Sequence, residues 1–461
     1  MKAKHPLGTA FQSIMIKDVP SYGNKLFYSL GFLSMTSFLV LIITGTIMAL
    51  NGPTWWLTSS LGGYLRSVHL WATQAFVLFI LLHLLVVFFT SGFKKPRRLT
   101  WVLGVLMLFT VLVETEFGYV LRGDYSSQWR SLQGADFYNG SGLGKLINPL
   151  NFLQIYGIHI VVIPLTLLGL LGLHYLLVRV LGIAKPYRKD VAVKTVPANH
   201  RILFVRGGVL VGLIMLLAIF LPSPYIKPTT IESIAQDAPA LMGRTLVSEF
   251  DYSSDTATYL DNIDPYNFDT RAVFVAAPYA QLLQAQNGAA DQMAVFAHEP
   301  VAVQKQQVRD ASQYYAADSP DAKNAPHSPV MTVVAQLTAM AQAGLYEPAL
   351  NAQDGVKGAT YVARFLSDTG VLEDKATVLA ITTDQYGMVR EESGRTPGAW
   401  WLAPIGLLNH TVLANDSNGD RDGAIIFGSL LLTMMAFPFI PYLNQLPDKL
   451  KVYKLIWRQS K

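Results

Sequence analysis

Four histidines sit in apolar sequence: His69 and His83 in "RSVHLWATQAFVLFILLHLLVVFF", His159 and His174 in "HIVVIPLTLLGLLGLHYLLVRVLG". A polar ring in hydrocarbon is costly enough to imply a task. At 100° per residue, the 14 steps from His69 to His83 end about 40° short of four turns and about 21 Å along a helix. The 15 steps from His159 to His174 end about 60° past four turns. If the two helices cross a membrane in the same direction, His69 meets His159 at one depth and His83 meets His174 at another. A lone intramembrane histidine is more often an interhelical hydrogen bond or a proton relay, and a transporter gathers its ionisable groups near the midplane. Here the histidines flank the midplane, and no charged residue lies between the members of either pair. Two facing pairs at two depths are what two bis-histidine haems need. Iron with both axial positions filled carries electrons and binds oxygen poorly.

Glycines repeat the spacing. Gly31 and Gly45 are 14 apart, as are Gly104 and Gly118, on two apolar runs that lack histidine. Glycine in a spanning helix usually allows helix packing; at the histidine spacing it also suits a flat macrocycle pressed against the helix. Arg66, one turn before His69, and Arg97, in the loop beyond His83, are cations suited to haem propionates. Lys94 and Lys95 stand beside Arg97, where orientation charge explains the cluster equally well.

The elements that must hold these residues follow from composition. Hydrophobic residues make up 51% of the 461. They cluster in runs near 28–50, 68–90, 101–121, 152–181, 203–222 and 424–443, each about long enough to cross a bilayer. The reading is an all-α membrane protein, a haem-binding bundle of about six spanning helices. No cleavable signal peptide is apparent in 1–27. Residues 223–423 carry 12 Lys and Arg against 24 Asp and Glu, whereas the rest of the chain has 24 cations and 7 anions. The cations flank the spans on one side, which is then cytoplasmic, and the acidic segment lies outside. The basic balance thus reports orientation, not nucleic-acid binding. With no cysteine, the chain itself offers no iron–sulfur cluster, disulfide or thioether-linked haem.

At this point a family comes into view. Residues 20–190, through "RSVHLW", "SGFKKPRRLTWVLGV", "EFGYVL", "HIVVIP" and "LHYLLVRVLGIAKP", resemble the b-type cytochrome of the bc and b6f quinol-oxidising complexes, nearest the b6 form. "VGLIMLLAIFLPSP" and "LLLTMMAFPFIPYLNQLPDK" are similar to the family's later helices. The resemblance implies two non-covalent haem b groups on the four histidines. It also implies quinone or quinol as a second cofactor, with Tyr119, Arg179 and Trp400 among the contacting residues. "PGAWWLAP" (397–404) resembles the P-E-W-Y motif whose glutamate takes a proton from quinol, but Gly398 and Ala399 stand in the glutamate's place. Arg122-Gly123 likewise replaces the usual Pro-Trp. Proton release still needs an acceptor. Glu116 and Asp124 are the candidates singled out; Glu114 lies beside them, and Glu391 and Glu392 read as solvated loop charges. The b6 form's extra haem, tethered by one cysteine, has no tether here.

The implied division is a cytoplasmic segment (1–27), a di-haem core (28–190), a fifth spanning helix (191–224), an extracytoplasmic, mainly helical insertion (225–396), and a final part with the altered motif, sixth helix and cytoplasmic tail (397–461). His298, His327 and His410 show no partner spacing. The insertion has two helix-like stretches, "PVMTVVAQLTAMAQAGLY" and "ATYVARFLSDTGVL", around a Pro/Asp/Asn-rich centre, and reads as a docking or shielding domain. The functional expectation is a quinol oxidoreductase subunit that moves electrons between outer and inner quinone sites of a prokaryotic inner membrane. A Rieske-type iron–sulfur protein, a c-type cytochrome and further membrane subunits are its expected partners. The alternative is a transmembrane conduit from an external redox partner, without outer-site quinol oxidation.

Overall fold

The structure is a computed structural model that describes residues 16–184, 194–258, 268–286, 289–318, 320–355, 360–382, 396–416 and 419–457. Six helices are long and apolar enough to cross a membrane, one for each apolar run. They include α1 (Leu30–Thr58), α2 (Ser60–Phe89), α3 (Arg98–Val120), α5 (Phe152–Leu181) and α6 (His200–Phe220). The sixth, α10 (Gly419–Ala436), follows a helical connection and an insertion. Between α3 and α5 lies α4 (Tyr125–Gly140), which hydrophobic periodicity did not announce. Leucines such as Leu39, Leu165, Leu213 and Leu432 stay exposed on the spanning helices. That is costly in water and natural against lipid.

Local chemistry sets the breaks. Helix α1 bends at Gly52, whose φ of 79° is open to glycine, just before Pro53. Ser59 then caps α2 by accepting a hydrogen bond from the Gly62 N–H. Asp124 opens α4 with a capping box: its carboxylate accepts from the Ser127 N–H, and the Ser127 hydroxyl accepts from the Asp124 N–H.

Cross-contacts tie the ends of the bundle. At one end a short strand β1 (Asp18–Pro20) pairs antiparallel with β2 (Thr195–Pro197), Val19 opposite Val196. Tyr22 donates to the Ala184 carbonyl at 2.8 Å, and the Trp457 indole donates to the Tyr28 hydroxyl at 2.7 Å. At the other end the Trp71 indole donates to the Leu221 carbonyl at 2.8 Å, and the Ser223 N–H donates to the Ser67 hydroxyl at 2.9 Å.

The insertion is helical. Among its helices are α7 (Pro239–Asp251), α8 (Pro329–Gln342) and α9 (Thr360–Asp368). Both helix-like stretches of the sequence are helices here, the second one broken into two at Gly370. Its core, which includes Met242, Phe250, Phe274, Leu337, Tyr346 and Phe365, also takes in Tyr125 of α4. The Tyr125 hydroxyl donates to the Leu372 carbonyl. Gln128 and Thr229 exchange two bonds of 2.8 Å, and the Trp129 indole donates to the Ile381 carbonyl at 3.2 Å. The insertion is therefore keyed to the spanning bundle through α4.

Candidate functional site

The two levels of histidine are both assembled. His69 of α2 and His159 of α5 face each other with ring centres 6.4 Å apart and planes at 65°. A metal bonded to one nitrogen of each ring at about 2 Å would set ring centres about 6 Å apart. At the other level His83 and His174 are electrostatic neighbours. Nδ1 of His69 lies 2.8 Å from the Thr44 hydroxyl, and Nδ1 of His159 lies 3.2 Å from Glu114 Oε1. With Nδ1 turned toward these groups, Nε2 is the nitrogen left for a metal, and at His69 the hydrogen bond to Thr44 also holds the ring's tilt.

A 15-residue interval ought to leave His159 and His174 about 60° out of register. The helix corrects this itself. Ile158–Val162 is a turn of π-helix, in which the Ile163 N–H donates to the Ile158 carbonyl five residues back. One residue is thus absorbed, and the interval behaves as 14 residues of ordinary helix. Pro164 supplies a local cause: it has no N–H to give the Ile160 carbonyl, and its ring crowds that carbonyl. A second π-turn, Arg271–Ala276, also runs into a proline, Pro278.

Each predicted glycine stands against the predicted histidine of its level. A Cβ built on Gly45 would lie 3.2 Å from His69 Cε1, and on Gly118 3.0 Å from His159 Cε1. On Gly31 it would lie 3.4 Å from His83 Cε1, and on Gly104 3.6 Å from His174 Cε1. The close body is the imidazole edge itself, so the glycines make room for the ring. Among the described residues there is no cluster of three or more His, Asp or Glu fit to hold a metal alone. Paired imidazoles beside bare helix backbone fit a metal whose remaining positions a flat macrocycle fills. The residues therefore fit haem.

The remaining predicted residues fall into three places. Arg66 donates to the Ser223 and Pro224 carbonyls, each at 3.3 Å, beyond α6. Arg97 donates to the Leu181, Gly182 and Ile183 carbonyls, closest at 2.8 Å to Leu181, and so covers the negative end of α5. Arg179 is exposed near that same end. The third group lies where α3 leaves the bundle. Glu116 Oε2 is 3.4 Å from Arg130, whose guanidinium stacks 4.1 Å over the Tyr119 ring. Glu116 Oε1 is buried without a hydrogen-bond partner. Asp124 is fully buried, with Oδ2 at 2.6 Å from Arg122 and Oδ1 on the Ser127 N–H. Both its oxygens thus meet neighbours within the fold. Glu391 and Glu392 lie outside the described residues.

Sequence reasoning missed Thr44, one residue before a glycine it had singled out, and Gln74. Gln74 is buried on α2, donates to the Pro397 and Gly398 carbonyls at 3.0 and 3.1 Å, and accepts from the Trp400 indole at 2.8 Å. It thus binds the altered motif to α2. Ala399 is completely buried there.

An apolar, six-span bundle with two levels of paired histidines is the architecture of a membrane electron-transfer protein. Comparison with known proteins makes this specific. Residues 74–233 match the family model described as Cytochrome b(N-terminal)/b6/petB. Cytochrome b6 of Heliobacterium mobile is 31% identical over 202 residues, covering 39% of this chain and 95% of the relative. Cytochrome b6 of Prochlorococcus marinus is 31% identical over 195 residues, covering 37% of this chain and 88% of the relative. A solved chain of a hyperthermophilic respiratory complex III aligns over 96% of this chain and 98% of its own, at 14% identity and a TM-score of 0.42. The chain belongs to the cytochrome b family of the bc and b6f complexes.

Proposed function

We propose that this chain is the di-haem cytochrome b subunit of a quinol-oxidising complex, carrying electrons across the membrane between an outer and an inner quinone site. The observation that carries the reading is the facing His69–His159 pair, 6.4 Å between ring centres, with His83 and His174 electrostatic neighbours at the other level. Haem held by these rings would supply one-electron transfer. The chain's own residues do the rest. Thr44 and Glu114 orient the two outer imidazoles. Gly31, Gly45, Gly104 and Gly118 let the edges of all four rings approach α1 and α3. Arg66, next to His69, and Arg97, beyond His83, set positive charge beside each haem level. Glu116 accepts the quinol proton at Oε1 while Arg130 holds Oε2. Tyr119 and Trp400 wall the outer pocket, and Arg179 neighbours the inner quinone. The lysine- and arginine-rich end is cytoplasmic, in a prokaryotic inner membrane. The electron acceptors outside are a Rieske-type iron–sulfur protein and a c-type cytochrome, within a complex of further membrane subunits.

A second reading, a conduit without outer-site quinol oxidation, has one observation in its favour: Gly398 and Ala399 where the related motif has its glutamate. One experiment separates them. The purified complex is expected to show two b-type haems per chain in a reduced-minus-oxidised spectrum, and both should be reducible by quinol. Glu116→Gln should keep that spectrum and lose about 10²- to 10⁴-fold in turnover. Unchanged turnover removes Glu116 from the reaction. Haems that quinol cannot reduce through an outer site favour the conduit, and a colourless protein ends both readings.

A further inference from the structure

Helix α4 stands between the insertion and the end of the bundle where α3 leaves it, and its faces have different neighbours. At 100° per residue, Tyr125, Gln128, Trp129 and Leu132 share one face, which meets the insertion. Ser126 and Arg130 lie about a third of a turn round from it, and there Arg130 meets Glu116 and Tyr119. The Arg130 guanidinium is tied to its own helix: Nε donates to the Ser126 hydroxyl, one turn earlier, at 3.4 Å. A displacement of α4 therefore carries the guanidinium with it.

The first face is fixed by bonds to the insertion. The Tyr125 N–H donates to the Ile226 carbonyl at 2.9 Å, and its hydroxyl donates to the Leu372 carbonyl. Lys375 Nζ stands 4.2 Å over the Tyr125 ring. Gln128 answers both backbone groups of Thr229, and the Trp129 indole reaches the Ile381 carbonyl. On a third side Ser127, Gln128 and Ser131 border a cavity of about 280 Å3, across from Val362, Leu366 and Leu372 of the insertion. Close packing is what holds most helices in place, and here it is interrupted. The depth and rotation of α4 thus rest on its hydrogen bonds to the insertion.

We propose that the insertion sets the geometry of the Glu116–Arg130 pair. Tyr125, Gln128 and Trp129 are positioning residues that act through α4 on Arg130, and through Arg130 on Glu116. The inference rests on the reading of Glu116 as the acceptor of the quinol proton. The pair already stands at 3.4 Å, so a shift of about 1 Å takes it out of ion-pair range. A misplacement of that size costs up to about 10²-fold in rate.

The test uses the purified complex with its haems. The double variant Y125F/W129F removes two of the bonds and keeps an aromatic ring at each position. It should keep the parental reduced-minus-oxidised spectrum and a quinol KM within about twofold, and lose at least about tenfold in kcat. Its structure by electron cryomicroscopy should show Arg130 and Glu116 more than about 4 Å apart. Added to Glu116→Gln, it should cost nothing further, because effects that run through one residue do not add. Val308→Ala, in the insertion core but outside these bonds, should leave kcat within about twofold. Parental kcat in Y125F/W129F, a change in KM alone, or an intact Arg130–Glu116 pair would each overturn the proposal. So would a loss that adds to that of Glu116→Gln, or an equal loss in Val308→Ala. Parental turnover by Glu116→Gln alone sinks the reading of Glu116, whereas a slow Glu116→Gln beside a parental Y125F/W129F sinks only the positioning role. Should the double variant fail to assemble, Gln128→Leu, which removes the Thr229 bonds, is held to the same outcomes.

Discussion

The grading of the four glycines is informative at the level of single side chains. Their built Cβ atoms would approach the histidine Cε1 atoms at 3.0, 3.2, 3.4 and 3.6 Å, for Gly118, Gly45, Gly31 and Gly104 in turn. The last is an ordinary contact distance, Gly31 stands at the edge of that range, and the first two are tighter. A methyl at Gly118 must push the His159 ring, and with it the 3.2 Å contact to Glu114. Gly118→Ala should therefore shift or abolish one of the two b-type bands, whereas Gly104→Ala should leave both in place, as read from haem content and low-temperature spectra. The reverse order would break the assignment of glycines to rings. These residues were legible because type and spacing mark them: an imidazole or a missing side chain stands out in a leucine-rich run. Thr44, Glu114 and Gln74 were not, because each acts on a residue of another helix and nothing in their own helix announces it. Glu114 was noticed for its charge and expected near quinol; it stands on the histidine.

The π-turn in α5 decides matters one level up. Its extra residue cancels the mismatch between a 15-residue interval and the helical period. Deleting Val161, inside that turn, should let the helix revert to regular α geometry with a 14-residue interval. Both haems should then remain, seen as two bands of parental amplitude. Deleting Leu171, in the regular α segment, removes a residue with nothing to absorb it and should cost a haem. Loss of a haem on deleting Val161 would mean that the turn does more than correct the register. Proline at 164 was visible in the sequence, but which way a helix relieves a proline depends on what surrounds it. The six spans were read correctly because bilayer thickness fixes their length and hydropathy. Helix α4 was missed since its pattern, "YSSQWRSLQGADFYNG", is polar and only acquires a face when Tyr125 and Trp129 meet the insertion.

Over the whole molecule, the insertion is a helical body with its own core and its own acid-sensitive pair. Glu249 on α7 is fully buried, and Asp368 on α9 is its neighbour. Burial, reinforced by the negative charge of Asp368, holds the Glu249 carboxyl well above its usual range. Burial also raises Asp368, against hydrogen bonds from Thr256 that lower it. Ser254 and Thr270 also face the pair, with Asp255 and Tyr346 at its edge. A carboxyl whose folded pKa is raised contributes fully below its unfolded pKa, and loses that contribution as pH rises through the folded value. The insertion should therefore be most resistant to hydrogen exchange on the acid side of neutrality and loosen as pH rises. Glu249→Gln should flatten that dependence. Protection factors in α7 and α9, corrected for the intrinsic pH dependence of amide exchange, that stay constant with pH would show that the pair is not titrating.

The Trp457–Tyr28 hydrogen bond carries a topological consequence. Two residues that touch at the bundle's end share one side of the lipid, so the chain between them must traverse it an even number of times. The same parity binds Val19 to Val196 across four traverses, and Ser67 to Ser223 likewise across four. Overlooking or inventing a single span would have torn such contacts apart. The count of six is thus guarded by geometry as well as by greasiness.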